Sequence, residues 1–407
     1  MSPAAPAGTA GRAPAARTRA AAEASVGVLV LLALGHFSVD LYSSALSVFQ
    51  PLLVSRLGLS LAQAGILGGL MVVSSSVMQP AYGFLSDRFR SRMFTVLAPA
   101  VAGVFVSCIA LAPSFAGVSA LVVLGGAGIA SFHPQASARV TLGVKANRGR
   151  WMAVFISGGT LGFAIAPTFF TTLIAFAGFE SAWTGAIPGV LVTLALLVKL
   201  PSAPPPSGGH EHPRFDWMAL NAVRKPLFIL YMLVFLRSVV QVTFAQFIPL
   251  YLTRVRGYSL ETASYLLSSY LFAGALGGFI GGHIADRFGG RRVILISMIG
   301  SVPFLLLFVL GGGPASAAGL CAGGLILLFT IPVNVVMAQE LVPGQSGTVS
   351  ALMMGFAWGT AGMVFIPLTG WFSDLYGMQS VLTALVLFPL LGFLLALKLP
   401  REPASHG

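Results

Sequence analysis

Gly83-Phe-Leu-Ser-Asp-Arg-Phe-Arg-Ser-Arg92 is the stretch that decides the fold, because a close copy of it, Gly282-His-Ile-Ala-Asp-Arg-Phe-Gly-Gly-Arg291, occurs at the equivalent place in the second half of the chain. Each copy lies between two long apolar runs. A second pattern repeats with nearly the same spacing: Gly159-Thr-Leu-Gly162 returns as Gly359-Thr-Ala-Gly362. The chain therefore consists of two similar halves, an organisation found in many secondary transporters.

The composition is that of a membrane protein. The sequence is 56% hydrophobic and only 8% charged, whereas soluble domains are roughly 25% charged. A spanning helix needs about 20 apolar residues, and twelve stretches meet that requirement. Their apolar residues are continuous rather than alternating, which excludes a β-barrel. The predicted spans are 25–50, 60–85, 93–112, 115–138, 150–177, 181–200, 226–252, 261–284, 292–312, 315–338, 346–370 and 378–399.

We therefore predict an all-α membrane protein whose twelve transmembrane helices form two pseudo-symmetric six-helix bundles. The first bundle is expected over residues 25–200 and the second over 225–400. Residues 201–224 have the Pro-, Gly- and Ser-rich composition of a linker. Residues 1–24, rich in Ala, Arg and Pro, are expected to be a cytoplasmic tail, and residues 401–407 a second one.

The net charge of +12 reflects orientation rather than a nucleic-acid partner. With both termini in the cytoplasm, most Arg and Lys residues fall in the inner loops and tails, whereas the outer loops hold only Arg56, Arg254 and Arg256. This asymmetry follows the positive-inside rule. We predict a multi-pass protein of the inner (plasma) membrane, a monomer whose partners are the lipid bilayer, protons and a small-molecule substrate, with no nucleic acid.

The sequence lacks the signatures of an enzyme. It contains no Gly-Lys dipeptide, and therefore no phosphate-binding loop of the G-x-x-x-x-G-K-[ST] type, and no H-E-x-x-H zinc motif. Cys108 and Cys321 both lie in apolar helices, where they indicate neither a disulfide framework nor a metal site. We expect no cofactor, no metal and no enzymatic activity, so an ion gradient is the simplest source of energy for transport.

Polar residues inside the spans are candidates for function, because a charge at the bilayer centre costs on the order of 3 kcal/mol. His36 and Asp40 share one face of the first helix, and Arg237 and Gln241 share one face of the seventh. Since Asp40 and Arg237 occupy nearly equivalent positions in the two halves, they are expected to approach each other across a central cavity. Asp40 would carry a proton and Arg237 would hold an anionic group. A purely structural ion pair is the alternative.

His133 is the third candidate for proton coupling, beside Asp40 and His36. It lies in a strongly apolar part of the fourth helix, and Pro134 frees a backbone carbonyl there and favours a bend. Histidine exchanges protons near neutral pH. A satisfied structural histidine is the alternative.

The repeated loop resembles the signature G-x-x-x-D-R-x-G-R-R of the major facilitator superfamily, in the loops after the second and eighth helices. The second copy matches closely, whereas the first has Arg90 and Ser91 where Gly and a basic residue are usual. In that family the motif latches the two halves together on the cytoplasmic side and opens during transport. The resemblance implies a gating role for Gly83, Asp87, Arg88, Gly282, Asp286, Arg287 and Arg291.

Further elements resemble the fosmidomycin-resistance branch of this superfamily. They are His36 with Asp40 and Tyr42, the tripeptide Phe132-His-Pro134, and Ala338-Gln-Glu-Leu-Val-Pro-Gly344. The branch commonly has Glu after Phe-His-Pro, whereas this chain has Gln135, which would leave proton handling to Asp40 and His133. The resemblance implies proton-coupled export of small phosphonate antibiotics, and a guanidinium suits a phosphonate. The expected substrate-binding residues are Arg237, Gln241, Tyr42, Phe132 and Gln135.

These observations predict a secondary active transporter that exports a small polar or anionic drug such as fosmidomycin in exchange for protons, by alternating access. One alternative is a proton-coupled importer of a small anionic metabolite. Alternatives from other classes are a membrane sensor that does not transport and a channel.

Overall fold

The computed structural model describes residues 13–89, 91–140, 148–201 and 217–399, and among these the regular structure is entirely helical. Twelve helices are long and apolar enough to cross a membrane, as the sequence predicts. In chain order, α1 to α12 are Val26–Leu57, Leu61–Ser86, Met93–Leu111, Phe115–Val140, Gly149–Ala177, Phe179–Lys199, Arg224–Arg254, Leu260–Phe288, Gly290–Leu310, Gly313–Leu341, Pro343–Tyr376 and Met378–Ala396.

Two of these helices contain a wide turn within the span. In α2, residues Val73–Val77 form a π-helix, and in α11 the π-helix covers Ala351–Phe356. Such turns leave backbone groups without their usual i−4 partners and are frequent at functional sites and bends. The two π-helical segments contact each other across the molecule.

Small residues let the helices of one half pack with their backbones almost touching. In the first half, α5 presents Gly158 and Gly162 to α1, where an added Cβ would overlap the carbonyl oxygens of Ala33 and Phe37. In the second half, Gly277 of α8 meets α10 in the same way, against the carbonyl of Leu325. Membrane helices rely on such close approach because lipid provides little hydrophobic driving force for association.

The two halves meet mainly at the end of the bundle remote from the repeated loops, which we call the outer end. There the segment Leu61–Val72 of α2 lies along Ala357–Tyr376 of α11, and α5 contacts α8. Gly65 and Gly69 of α2 lie directly on Pro367, so little space remains between these helices. The protein is therefore in a conformation that is closed at its outer end.

Two predicted connecting segments are partly helical. The first apolar span begins at Val26, close to the predicted residue 25, and its helix extends back to Ala13 within the predicted tail; Ala and Arg are strong helix formers. Within the predicted linker, Trp217–Ala222 forms a short helix. Residues 1–12, the other predicted linker residues 202–216 and the predicted tail 401–407 lie outside the described residues.

The close packing of α1 on α5 generates a first prediction. Gly162→Ala should lower the apparent melting temperature of the detergent-solubilised protein, because its Cβ would overlap the carbonyl oxygen of Phe37 and overpacking typically costs about 1–3 kcal/mol. Gly27→Ala is the matched control, since nothing lies within 4 Å of a Cβ there. Equal melting temperatures for the two variants would contradict this account of the packing.

Candidate functional site

A carboxylate held between two histidines lies in the first half of the protein. His36 and Asp40 are one turn apart on α1, so they share a face, and α4 brings His133 to the same point. His36 Nε2 is 3.3 Å from Asp40 Oδ2, and His133 Nε2 is 3.3 Å from Asp40 Oδ1. Each carboxylate oxygen thus faces a different imidazole. The structure brings together all three residues that the sequence analysis proposed for proton coupling, which we call the His–Asp–His group.

The second nitrogen of each ring determines where protons can reside. His36 Nδ1 lies 2.8 Å from the carbonyl oxygen of Phe155 in α5, and His133 Nδ1 lies 2.9 Å from that of Ile129. Because a carbonyl oxygen can only accept, Nδ1 carries a proton in both rings. Each Nε2 therefore contacts Asp40 favourably only when a further proton lies between them, on the ring or on the carboxyl.

The His–Asp–His group consequently offers two positions for exchangeable protons. As they fill, the charge of the group passes from negative through neutral to positive. Within the membrane such a change alters the energy of the whole site, because hydrocarbon stabilises charge poorly. The arrangement can bind and release protons, and each step changes the local charge.

The surroundings fix the rings and leave the group partly accessible. The Phe155 ring stacks on His36 at a centroid distance of 4.2 Å, and the two histidine rings meet edge to face at 5.0 Å. The side chains of Asp40 and His133 remain 18% and 22% exposed, so protons can reach them. Gly159 of α5 lies against His36 and Asp40, where a Cβ would overlap both side chains.

The spacing of the same three side chains would also admit a metal ion. Each offers one ligand atom, and these atoms lie within 4.8 Å of one another. The sequence analysis predicts no metal at this point. A chelator control therefore belongs with any test of proton transfer at this group.

Arg237 does not form the expected ion pair with Asp40. The guanidinium is buried, with 5% exposure; its Nη2 donates to Ser238 Oγ at 3.1 Å, while Nε and Nη1 have no partner. Both oxygens of Asp40 already face histidines of the first half. Asp40 and Arg237 occupy nearly equivalent positions in the duplicated sequence, but this equivalence does not bring them into contact. Each charged side chain lies among the helices of its own half. Gln241, one turn along α7, is half-buried, and its Oε1 also lacks a partner.

Tyr42 and Phe132, expected to bind substrate, instead pack inside the first half. Tyr42 is fully buried; its hydroxyl donates to the carbonyl of Gly185 and accepts from the amide of Gly189, both at 2.9 Å. Phe132 is also fully buried, and its ring lies against Gly35 of α1. Neither side chain is available to a ligand in this conformation, because an aromatic residue beside a candidate functional one can face the opposite side of its helix.

Gln135 is likewise engaged in structure rather than available to a ligand. Its Oε1 accepts hydrogen bonds from the amide and hydroxyl of Thr95, at 3.2 and 2.5 Å. Its Nε2 donates to Ser86 Oγ and to the carbonyl of Ser91, at 3.2 and 2.8 Å. The side chain thus ties α4 to the ends of α2 and α3. An amide can make all four bonds, whereas an ionised carboxylate in its place would have no donor for Ser91.

Among the described side chains, no gating residue of the repeated loops forms an ion pair between the two halves in this conformation. Gly83 faces Pro134 of α4, and Gly282 faces Pro332 of α10, each within its own half. Arg88, Asp286 and Arg287 are exposed, and the Asp87 side chain lies outside the described structure. The gating role stays a prediction.

The last arginine of each loop has a structural contact that the sequence analysis missed. Arg291 donates from Nε to the carbonyl of Leu399 at 3.1 Å and from Nη2 to that of Leu397 at 3.2 Å. In the first half, Arg92 donates to the carbonyl of Leu200. Both arginines thus bind carbonyls at the C-terminal end of the last helix in their own half, a favourable place for a cation. The duplicated sequence could have revealed these contacts, because the arginine donor and the carbonyl acceptor recur at corresponding positions in the two halves.

The family model described as Major Facilitator Superfamily matches residues 32–355 and 257–407. An uncharacterised MFS-type transporter of Bacillus subtilis, YfnC, is 30% identical over 92% of this chain and 93% of its own length. The fosmidomycin resistance protein of Escherichia coli is 28% identical over 93% and 94%.

Solved structures agree with the fold. The bacterial homologue of the lysosomal transporter Spinster, in an inward-facing and occupied conformation, superposes with a TM-score of 0.80 at 16% identity, covering 91% of this chain and 96% of its own. The nucleoside transporter NupG gives 0.72 at 15% identity, covering 92% and 100%. At such identities the likeness concerns the arrangement of helices alone.

Proposed function

The chain belongs to the major facilitator superfamily of membrane transporters, and we propose that it exports a small polar or anionic compound such as fosmidomycin in exchange for protons. The observation that carries the proposal is Asp40 lying between His36 and His133, with one imidazole nitrogen 3.3 Å from each carboxylate oxygen. A buried acid with two proton-exchanging neighbours is expected where transport is driven by a proton gradient.

Coupling follows from the charge of the His–Asp–His group. When a proton enters from the outside, the group becomes less negative, and its interaction with neighbouring charges and with a bound anion changes. Release of the proton to the inside restores the original charge. A ligand or proton can shift a conformational equilibrium only if it binds one state better than the other. The partial exposure of Asp40 and His133 supports access of protons to the group.

The tight contact of the halves at the outer end supports alternating access. The π-helical segments of α2 and α11 lie between the closed outer end and the repeated loops, and we propose that the helices bend there. In the opposite state the repeated loops would meet, and Asp87, Asp286 and their neighbouring arginines would hold them together. Rocking of one bundle against the other about a central site is the general scheme of this architecture.

The substrate class rests on two points. The E. coli relative at 28% identity is a fosmidomycin resistance protein, and Arg237 is a buried cation without an anionic partner among the described residues. A guanidinium offers paired donors to phosphonate or carboxylate oxygens. The proposed location is the inner membrane with both termini in the cytoplasm, as the distribution of Arg and Lys favours.

The second candidate function is import of a small anionic metabolite with protons. The same residues serve either direction, and a relative matched over 87% of this chain at 24% identity is a hexuronate transporter of B. subtilis. The direction of transport therefore has to be measured. A channel would conduct current without stoichiometric proton exchange.

We expect expression of the full chain in a fosmidomycin-sensitive bacterium to raise the inhibitory concentration of the drug, because export lowers its internal level. A protonophore should abolish the accumulation difference measured with labelled drug. Unchanged sensitivity, with membrane insertion confirmed, would remove the export proposal. Increased sensitivity with faster drug uptake would instead favour the importer.

We expect Asp40→Asn to reduce proton-driven transport in proteoliposomes at least about tenfold, corresponding to roughly 1.4 kcal/mol, while exchange of substrate for substrate continues. Asparagine mimics the protonated acid but cannot release a proton.

His133→Ala should have the same selective effect as Asp40→Asn. Glu180→Gln, at an exposed position of α6, is the control and should transport normally. All assays contain a chelator, so that metal binding at the three residues cannot produce the result; wild-type rates in both Asp40→Asn and His133→Ala would refute the proton role.

A further inference from the structure

Six buried or half-buried side chains in the second half have polar atoms without a hydrogen-bond partner, and Arg237 and Tyr270 are two of them. Arg237 leaves Nε and Nη1 without partners, and the hydroxyl of Tyr270 on α8 also has none. Tyr270 is fully buried, and Arg237 is 5% exposed. Arg237 lies on α7 and Tyr270 on α8, and these two helices contact each other. Both unsatisfied groups thus belong to one pair of packed helices.

The unpaired hydroxyl of Tyr270 is unusual when it is compared with the other fully buried tyrosines. The Tyr42 hydroxyl both donates and accepts, at 2.9 Å each. The Tyr251 hydroxyl donates to the carbonyl of Val309 at 3.0 Å and accepts from Arg256 Nε at 2.7 Å. Buried hydroxyls are normally hydrogen-bonded, and an unpaired one is destabilising. Tyr270 is thus the exception among the three, and its helix α8 packs against α7, which carries the unpaired Arg237.

The counter-ion of Arg237 cannot come from the interior of the second half. Between residues 225 and 399 the sequence has four acidic residues, and each lies at or near the end of a spanning helix: Glu261, Asp286, Glu340 and Asp374. None of them forms an ion pair with Arg237 in the described structure. A buried cation without a partner is strongly unfavourable, so an anion from outside the protein would stabilise it.

We infer that Arg237 and Tyr270 form the binding subsite for a compact oxyanion, a phosphonate or phosphate, and that Tyr270 determines its selectivity. Arg237 supplies the charge and paired N–H donors, and Tyr270 donates its O–H to another oxygen. Both side chains are covered in this conformation, so the anion enters when the halves rearrange. The transport role of the subsite rests on the proposed function, whereas anion binding can be tested by itself.

The experiment measures binding to the purified full-length protein. Methylphosphonate and inorganic phosphate are titrated while the thermal stability is followed, since a ligand that binds the folded state raises it. We expect Tyr270→Phe to weaken the apparent affinity about tenfold, the value of a hydrogen bond to a charged group, and Arg237→Gln to abolish the shift. Without ligand, Tyr270→Phe should be at least as stable as the wild type, because it removes an unsatisfied hydroxyl.

Tyr251→Phe is the matched control. It should lower the ligand-free melting temperature, because it breaks two hydrogen bonds, and leave the anion-induced shift unchanged. An identical shift in Tyr270→Phe and wild type, or no shift of the wild type with either anion, would overturn the inference. If the anions bind as expected but fosmidomycin is not transported, the subsite stands and only the proposed drug is wrong.

Asp374, at the outer end of α11, binds the start of α2 in the other half. At the start of α2, Ser60 Oγ accepts from the amide of Gln63, and Gln63 Oε1 accepts from the amide of Ser60. This capping box leaves the amides of Leu61 and Ala62 without partners in their own half. Asp374 of the other half accepts both, at 2.9 and 2.8 Å. Its carboxylate thus completes the cap across the boundary between the halves.

The pseudo-symmetric contact of α5 with α8 contains no such carboxylate. There the halves are joined by hydroxyl pairs, Thr168 with Ser268 at 2.9 Å and Thr171 with Ser264 at 2.6 Å. A charged acceptor at a helix N-terminus binds more strongly than a neutral hydroxyl pair. Beside Asp374, Gly370 lies against the carbonyl of Leu61, so α2 and α11 cannot separate without breaking the Asp374 bonds.

The geometry points to Asp374 as an outer latch, a contact that holds the protein closed at the outer end and must break before that end opens.

The test uses spin labels at Ser114→Cys and Ala315→Cys, exposed positions at the outer end of the two halves, after replacement of Cys108 and Cys321. Asp374→Asn and Asp374→Ala should each increase the long-distance, open population about fivefold. Glu261→Gln, which removes an exposed charge at the same end, should leave it unchanged. Distance distributions that match those of Glu261→Gln in both Asp374 variants would refute the latch.

Discussion

Inside a bilayer a polar group has to find its partner within the protein, because the hydrocarbon offers neither hydrogen bonds nor counter-ions. The helices satisfy this requirement for the backbone, and the side chains follow the same rule. Asp40 is held by two histidines, and Gln135 uses both ends of its amide to tie three helices together. Where the rule is broken, as at Arg237 and Tyr270, the unsatisfied groups mark the place where a molecule from outside would be stabilised.

The duplicated features of the chain build the scaffold, and the unduplicated ones carry the proposed chemistry. The loop arginines Arg92 and Arg291 bind helix ends in corresponding places, and Gly83 and Gly282 face corresponding prolines. By contrast, within the described part of the chain the carboxylate between histidines lies in the first half, and the buried unpaired Arg237 lies in the second. Asymmetry of this kind would let a pair of similar bundles separate the proposed proton handling from the proposed anion binding.

The same asymmetry suggests how the two sites communicate. They do not touch in this conformation, so the proposed coupling does not require direct attraction between Asp40 and Arg237. Asp40 lies on α1 and Arg237 lies on α7, and these two helices contact each other between the halves. Proton binding and anion binding can each bias the same rearrangement of the halves, which is sufficient for thermodynamic coupling.

The sequence by itself determined the twelve spans and the division into two similar halves, and it singled out His36, Asp40 and His133. These follow from apolar length, from repetition, and from the cost of polar residues in a membrane, all of which are local or additive properties. Only the tertiary structure decided that Arg237 avoids Asp40, that Tyr42, Phe132 and Gln135 are engaged in packing, that Tyr270 has no hydrogen-bond partner, and that Asp374 caps α2 of the other half. Each of those outcomes depends on which way a helix is rotated and on which neighbour it meets, and helix rotation is set by contacts between residues far apart in the chain.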